Sequence, residues 1–238
     1  MKRTVTRVLV LLFLTAAAKG ADPWQSKPFQ TWTAQECRRL LRDSPWARTY
    51  NTQFTAMRPV NRLPGMGSLP GSGEGVSDLG VTYYVTFRSA IPVRQALVRQ
   101  AQIEAKYNTL DDVQKKALDE KFKPLLDAAF SDKIVVHVVY GSNIAEWDRQ
   151  LAYYWRSQTL ATLKGTVYLS GPDGDRIEPG DYWVGAGDSR DLEFTFPRHP
   201  EVAAQNPNKP LVFEFSAGGR VYLRYATSLM KYGGAITY

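Results

Sequence analysis

One cysteine, Cys37, stands in a chain of 238 residues, so no disulfide can form within it. Histidine is nearly as scarce. His137 and His199 are the only two, which excludes the usual zinc spacings and leaves any Ser-His-Asp triad little to draw on. No Lys/Arg run exceeds two residues, and no repeat or low-complexity array occurs. The longest apolar stretch, Val8–Ala18, has eleven residues, well short of the ~20 that span a bilayer.

That stretch has another reading. Lys2, Arg3 and Arg7 precede it and Ala18-Lys19-Gly20 follows it, the basic, apolar and small-x-small parts of an export signal. The expectation is a signal peptide over 1–20, cleavage before Ala21, and an exported protein in the periplasm or outside the cell. Removing 1–20 leaves 26 cationic against 23 acidic residues, and the formal charge falls from +7 to +3. A mature charge that low, without basic runs, excludes a nucleic-acid partner. No membrane span is expected in the mature chain.

The remainder, 21–238, reads as one α+β domain, a largely antiparallel sheet with about three to four helices packed on it. Its nucleus is 79–140. Leu79–Arg88 alternates, and Ile134–Tyr140 is apolar on both faces except at His137. Two helices fill the interval, Pro92–Tyr107 with Ser89 as its cap, and one opened by Thr109 and Asp112 that Pro124 should kink or split. Upstream, Thr33 and Glu36 form a capping box, and Trp46–Phe54 alternates as a strand with Trp46, Tyr50 and Phe54 on one face. Residues 58–78 hold five glycines and three prolines and read as a flexible loop between strands. After 140, Asn143 should cap a helix carrying the stripe Ile144, Trp147, Leu151, Tyr154 and Trp155. Period two then returns at Thr166–Ser170, Asp181–Val184, Leu192–Phe196, Leu211–Phe215 and Val221–Tyr225, with Lys231–Tyr238 as a last strand.

Several phrases taken together resemble an uncharacterised family of exported bacterial proteins: Trp32-Thr33 with Glu36, Leu40-Leu41 with Ser44-Pro45-Trp46, Ser89 with Pro92-Val93-Arg94, Phe194-Thr195-Phe196-Pro197-Arg198, and Met230-Lys231-Tyr232-Gly233. The resemblance implies export and one compact architecture. It transfers no activity and no site residue.

Chemistry has few footholds. The loop serines lie in no Gly-x-Ser-x-Gly elbow, and Gly71-x-Gly73-x-Gly75 precedes a strand instead of the helix that phosphate binding needs. Cys37 shares a helix with three arginines, which favours a thiolate, but its Leu40/Leu41 face favours an inert buried thiol. Acids gather around one aromatic: Asp173, Asp175, Glu178 and Asp181 beside Trp183, with Asp188, Asp191 and Glu193 close behind. Their spacing matches no twelve-residue calcium loop, so no metal or other cofactor is implied. Acids flanking an aromatic are what a sugar site uses. Asp173, Asp175, Glu178, Asp181 and Trp183 are therefore the candidate binding residues. The function that follows is a non-enzymatic binding role toward an envelope protein or a glycan. The alternative is a glycan hydrolase working through acids in 173–193.

Overall fold

In the computed structural model, residues 22–54, 79–171, 174–187, 189–198, 209–217 and 219–238 are described, with backbone alone at 53, 54 and 79. The alternating stretches form β1 (Ala47–Phe54), β2 (Leu79–Phe87), β3 (Lys133–Ser142), β4 (Val167–Ser170), β5 (Arg176–Ile177), β6 (Asp181–Val184), β7 (Asp191–Pro197), β8 (Pro210–Ser216), β9 (Arg220–Ala226), β10 (Lys231–Tyr232) and β11 (Ala235–Ile236). The helices are α1 (Pro23–Ser26), α2 (Ala34–Arg42), α3 (Ile91–Glu104), α4 (Asp112–Asp127), α5 (Ala145–Ser157) and α6 (Leu160–Leu163). The α+β class and the antiparallel pairing are as the sequence implies, and every ladder is antiparallel.

The strands divide between two main sheets instead of extending one. A five-stranded sheet runs β1-β2-β3-β7-β6 and a four-stranded sheet runs β5-β4-β8-β9. Alternation decides which face each presents. From the five-stranded sheet Val81, Tyr83, Val85 and Phe87 point inward with Ile134, Val136, Val138, Leu192, Phe194 and Phe196, all buried. Opposite them stand Val167, Leu169, Leu211, Phe213, Phe215, Val221 and Tyr225. Edge-on ring pairs join the two layers, Tyr83 with Phe215 at 5.1 Å and Phe87 with Tyr225 at 4.7 Å between centroids. Trp46 and the partly buried Tyr50 belong to this same core, so β1 is part of the fold and not a separate arm.

Helices close the sandwich. On α5, Trp147, Leu151 and Trp155 are buried, and the Trp155 ring meets Phe194 and Phe215, one from each sheet. α2 begins with the expected capping box, Thr33 Oγ1 accepting from the Glu36 amide at 3.3 Å and Glu36 accepting from the Thr33 amide at 2.8 Å. Its last turn lies over the outer side of β2, where Thr86 donates to the Leu41 carbonyl at 3.2 Å. α4 buries no residue, and Pro124, only three positions from its end, costs one hydrogen bond without splitting it.

Four expected details differ. Asp111, boxed with Gln114, caps α4 in place of Thr109 with Asp112, and Thr109 donates instead to the Lys106 carbonyl at 2.8 Å. Ser89 and Asn143 cap no helix, because each serves the sheet. Ser89 Oγ accepts from the Val135 amide at 3.1 Å, and Asn143 Oδ1 from the Gly80 amide at 2.8 Å. The turn after β4 returns into β5, not into Asp181–Val184, which crosses to the other sheet and pairs with β7. Lys231–Tyr238 is a hairpin, because Gly233 and Gly234 take φ of 58° and 83° and reverse the chain. Tyr238 then turns inward and its ring meets Phe87.

Candidate functional site

On the outer face of the five-stranded sheet α2 lies against β2, Val135 and His137 of β3 are largely buried, and exposure rises across β7 to Asp181 and Trp183 on β6. Cross-strand register builds a row there: Thr86, His137, Glu193 and Trp183 stand side by side on successive strands. Residues directly opposite share a face, so all four project outward. The neighbouring rows add Tyr84, Val139 and Asp191 on one side, and Val135, Thr195 and Asp181 on the other.

Charges in the row are matched. Arg88 Nη1 lies 3.0 Å from Glu193 Oε2, and His137 Nε2 lies 3.2 Å from Asp191 Oδ1. Ser189 Oγ donates to Asp191 Oδ2 at 2.8 Å. Ser189 reaches that position because residue 185 is glycine. A Cβ there would sit 2.1 Å from the serine oxygen. Behind the row, Arg190 Nη2 pairs at 2.7 Å with Asp148, which also takes the Ser142 amide at 2.6 Å.

The order of these groups decides their chemistry. Asp191 stands between Ser189 and His137, so the serine proton goes to a carboxylate and no imidazole can take it. Burial, aided by Arg88 and opposed by Asp191 and Glu193, brings His137 down to about 4. The imidazole is therefore neutral at pH 7 and donates to Asp191. Its folded pKa lies below the unfolded value of about 6.5, so the unfolded chain binds the extra proton first. Stability is then full above pH ~6.5 and is lost as pH falls toward ~4, by roughly 3 kcal/mol for the whole shift. His137→Gln is expected to flatten that segment of a stability-against-pH curve measured by denaturant unfolding. An unchanged slope between pH 4 and 6.5 would refute this.

The five sequence candidates separate. Asp173 lies outside the described residues. Asp175 is exposed in the turn before β5, in the other sheet, and Glu178 is exposed on the crossing between sheets. Asp181 and Trp183 come together, two residues apart on the outer face of β6, with Trp183 52% exposed. Among the described residues no group of three His, Cys, Asp or Glu could hold a metal ion. His137 shares the row of Trp183, and Asp191 and Arg88 join from beside it through His137 and Glu193. The sequence signal for this was His137, the one break in the apolar run Ile134–Tyr140, which marks the strand's second face as carrying polar neighbours.

Other features offer less. Cys37 is buried, and burial pushes its thiol up to about 11, so it is protonated and inert at neutral pH. Two adjoining concavities of about 400 and 710 Å³ near α3 and α4 share Arg99, Gln102, Tyr107 and Asn108. Their polar groups are engaged with one another: Tyr107 donates to Asp119 at 2.6 Å, Gln102 to Asp119 at 3.2 Å, and Arg99 to the Trp32 carbonyl at 3.0 Å.

No protein-family model and no curated protein matches the chain. Among solved structures it is similar to a novel protein of unknown function from Burkholderia pseudomallei K96243, at 14% identity and a TM-score of 0.40, over 62% of this chain and 77% of that one.

Proposed function

We propose that this is an exported, non-enzymatic binding protein of the cell envelope that takes a glycan on the outer face of its five-stranded sheet. Export rests on the pattern of residues 1–20. The observation that carries the binding site is Trp183, 52% exposed in one row with Glu193 and His137. An indole face packs on the C–H side of a sugar ring, and carboxylates and a guanidinium at its margin exchange hydrogen bonds with ring hydroxyls. One observation favours the hydrolase reading: Asp191 and Glu193 leave β7 on the same face, about 7 Å apart along the strand. Glycosidase carboxylates are about 5–9.5 Å apart. Against hydrolysis, both acids already hold partners, Arg88 for Glu193 and His137 with Ser189 for Asp191.

The test is affinity electrophoresis of the mature protein in native gels containing laminarin, glucomannan or soluble peptidoglycan strands. Retardation by one of these, abolished in Trp183→Ala with an unchanged melting temperature, is the expected result. Equal migration of Trp183→Ala and the parent would overturn the site. Release of reducing ends by the parent, lost in Asp191→Asn or Glu193→Gln, would replace binding with hydrolysis.

A further inference from the structure

The opposite side of the sandwich carries a second surface of different chemistry. On the outer face of the four-stranded sheet, register sets Arg176, Ser170, Val212 and Arg224 in one row and Tyr168, Glu214 and Tyr222 in the next, with Ser216 and Arg220 beyond. Three arginines thus share a face with one acid. That acid is fully occupied, since Glu214 takes both forks of Arg220, at 2.7 and 2.9 Å. Among the described residues Arg176 and Arg224 have no acidic partner.

Both are nevertheless held in place. Arg176 lies over the Tyr168 ring at 4.7 Å, and Arg220 and Arg224 flank the Tyr222 ring at 5.2 and 5.6 Å. Stacking orders a guanidinium without using its donors, which leaves a planar fork for a carboxylate, sulfate or phosphate. A shallow concavity of about 350 Å³ opens over Arg220, Tyr222 and Arg224. The two unpaired guanidinium groups stand three strand spacings apart, about 14 Å across the sheet. Between and beside them lie the hydroxyls of Ser170, Ser216, Tyr168 and Tyr222.

We propose that this face binds an acidic polysaccharide, with Arg176 and Arg224 taking its anionic groups and the flanking hydroxyls meeting its hydroxyls. Charge complementarity selects an anion, and the mixture of forks and hydroxyls selects one that is also hydroxylated. Lipid headgroups fit less well. Insertion needs protruding apolar side chains, and the rings here lie against guanidinium groups. The site is separate from the row at Trp183 and does not depend on it.

The experiment is binding of the mature protein to polygalacturonate, read by isothermal titration at low and moderate salt. Dextran, poly-L-glutamate and phosphatidylglycerol vesicles serve as comparison ligands. Polygalacturonate is expected to bind, more weakly as salt rises, and Arg176→Gln/Arg224→Gln to weaken it by about tenfold or more through lost charge neutralisation. Lys115→Gln/Lys116→Gln on α4 removes the same charge elsewhere and should change affinity by less than about twofold. Melting temperatures near the parent's keep the comparison one of binding. Equal loss in the two double variants, or no loss in the arginine pair, would overturn the proposal as general electrostatics. Tighter binding of poly-L-glutamate or of vesicles would overturn it in favour of a peptide or a membrane.

Discussion

Trp155→Ala is expected to lower the unfolding free energy by about 3–5 kcal/mol, the range for removing a large buried aromatic. The side chain is fully buried, and its ring lies 6.1 Å from Phe194 and 5.7 Å from Phe215. Those two phenylalanines belong to different sheets, so the indole is a wedge shared by both layers and α5. Its removal leaves a cavity that neither sheet can fill alone, because each is fixed by its own ladder. The neighbouring Tyr182 hydroxyl, which donates to the Trp155 carbonyl at 2.8 Å, keeps a backbone partner that the substitution does not remove. Trp155→Phe separates packing from polarity. The indole Nε1 is buried without a hydrogen-bond partner among the described residues, so phenylalanine retains a ring and removes an unsatisfied donor. It should cost no more than about 1.5 kcal/mol. Denaturant unfolding with constant m-value measures both. An alanine cost below about 1 kcal/mol would show that the sheets are not joined through this ring.

Much of this core was legible because its signals are local. The period of two in 79–88 assigns Val81, Tyr83, Val85 and Phe87 to one face, and the stripe Trp147, Leu151, Trp155 repeats at helical spacing. Strand pairing is not local. Thr166–Ser170 and Asp181–Val184 have equivalent patterns, yet one joins the four-stranded sheet and the other the five-stranded. Of the two partners of β4, the one that follows it in the chain is Arg176–Ile177, too short for any period to reveal, and the other, β8, lies some forty residues on. The same distinction governs the candidate site. Asp181 and Trp183 are two apart on a strand, so their shared face could be read directly. Glu193 reaches Trp183 through one ladder and His137 through a second, and no feature of the sequence states either register. Caps fail for a related reason. Ser89 and Asn143 precede helices as cap residues do, but their oxygens are taken by amides 46 and 63 positions away.

Arg94→Met should destabilise the protein by about 3–5 kcal/mol and release the end of α4 from the rest of the fold. Arg94 is only 4% exposed, and its Nη1 donates to the carbonyls of Leu125, Leu126 and Ala128 at 2.9, 3.0 and 2.8 Å. These belong to the C-terminus of α4 and the residue after it, where a helix leaves carbonyls without intrahelical partners. A cation there satisfies them and opposes the negative end of the helix dipole. The guanidinium also lies 4.9 Å from the Phe130 ring, which holds the segment returning toward β3. Burial lowers the arginine's pKa without neutralising it, so the charge persists at all ordinary pH. The dependence is unusually sharp because α4 buries none of its own residues. Apolar packing that would hold most helices is thin here, and the two N–H groups of Arg94 Nη1, shared among three carbonyls, replace it. Each such bond contributes about 1.5–3 kcal/mol, of which part returns when the freed carbonyls meet water. Arg94→Lys keeps the charge but not the reach of the guanidinium, and should fall between the parent and Arg94→Met. Hydrogen exchange would localise the effect, with protection lost across 121–130 while β2 and β3 stay protected. Unchanged protection at the end of α4, with a global loss below about 1 kcal/mol, would show that α4 is held by its other contacts with α3, such as Asp119 with Gln102, and not by Arg94.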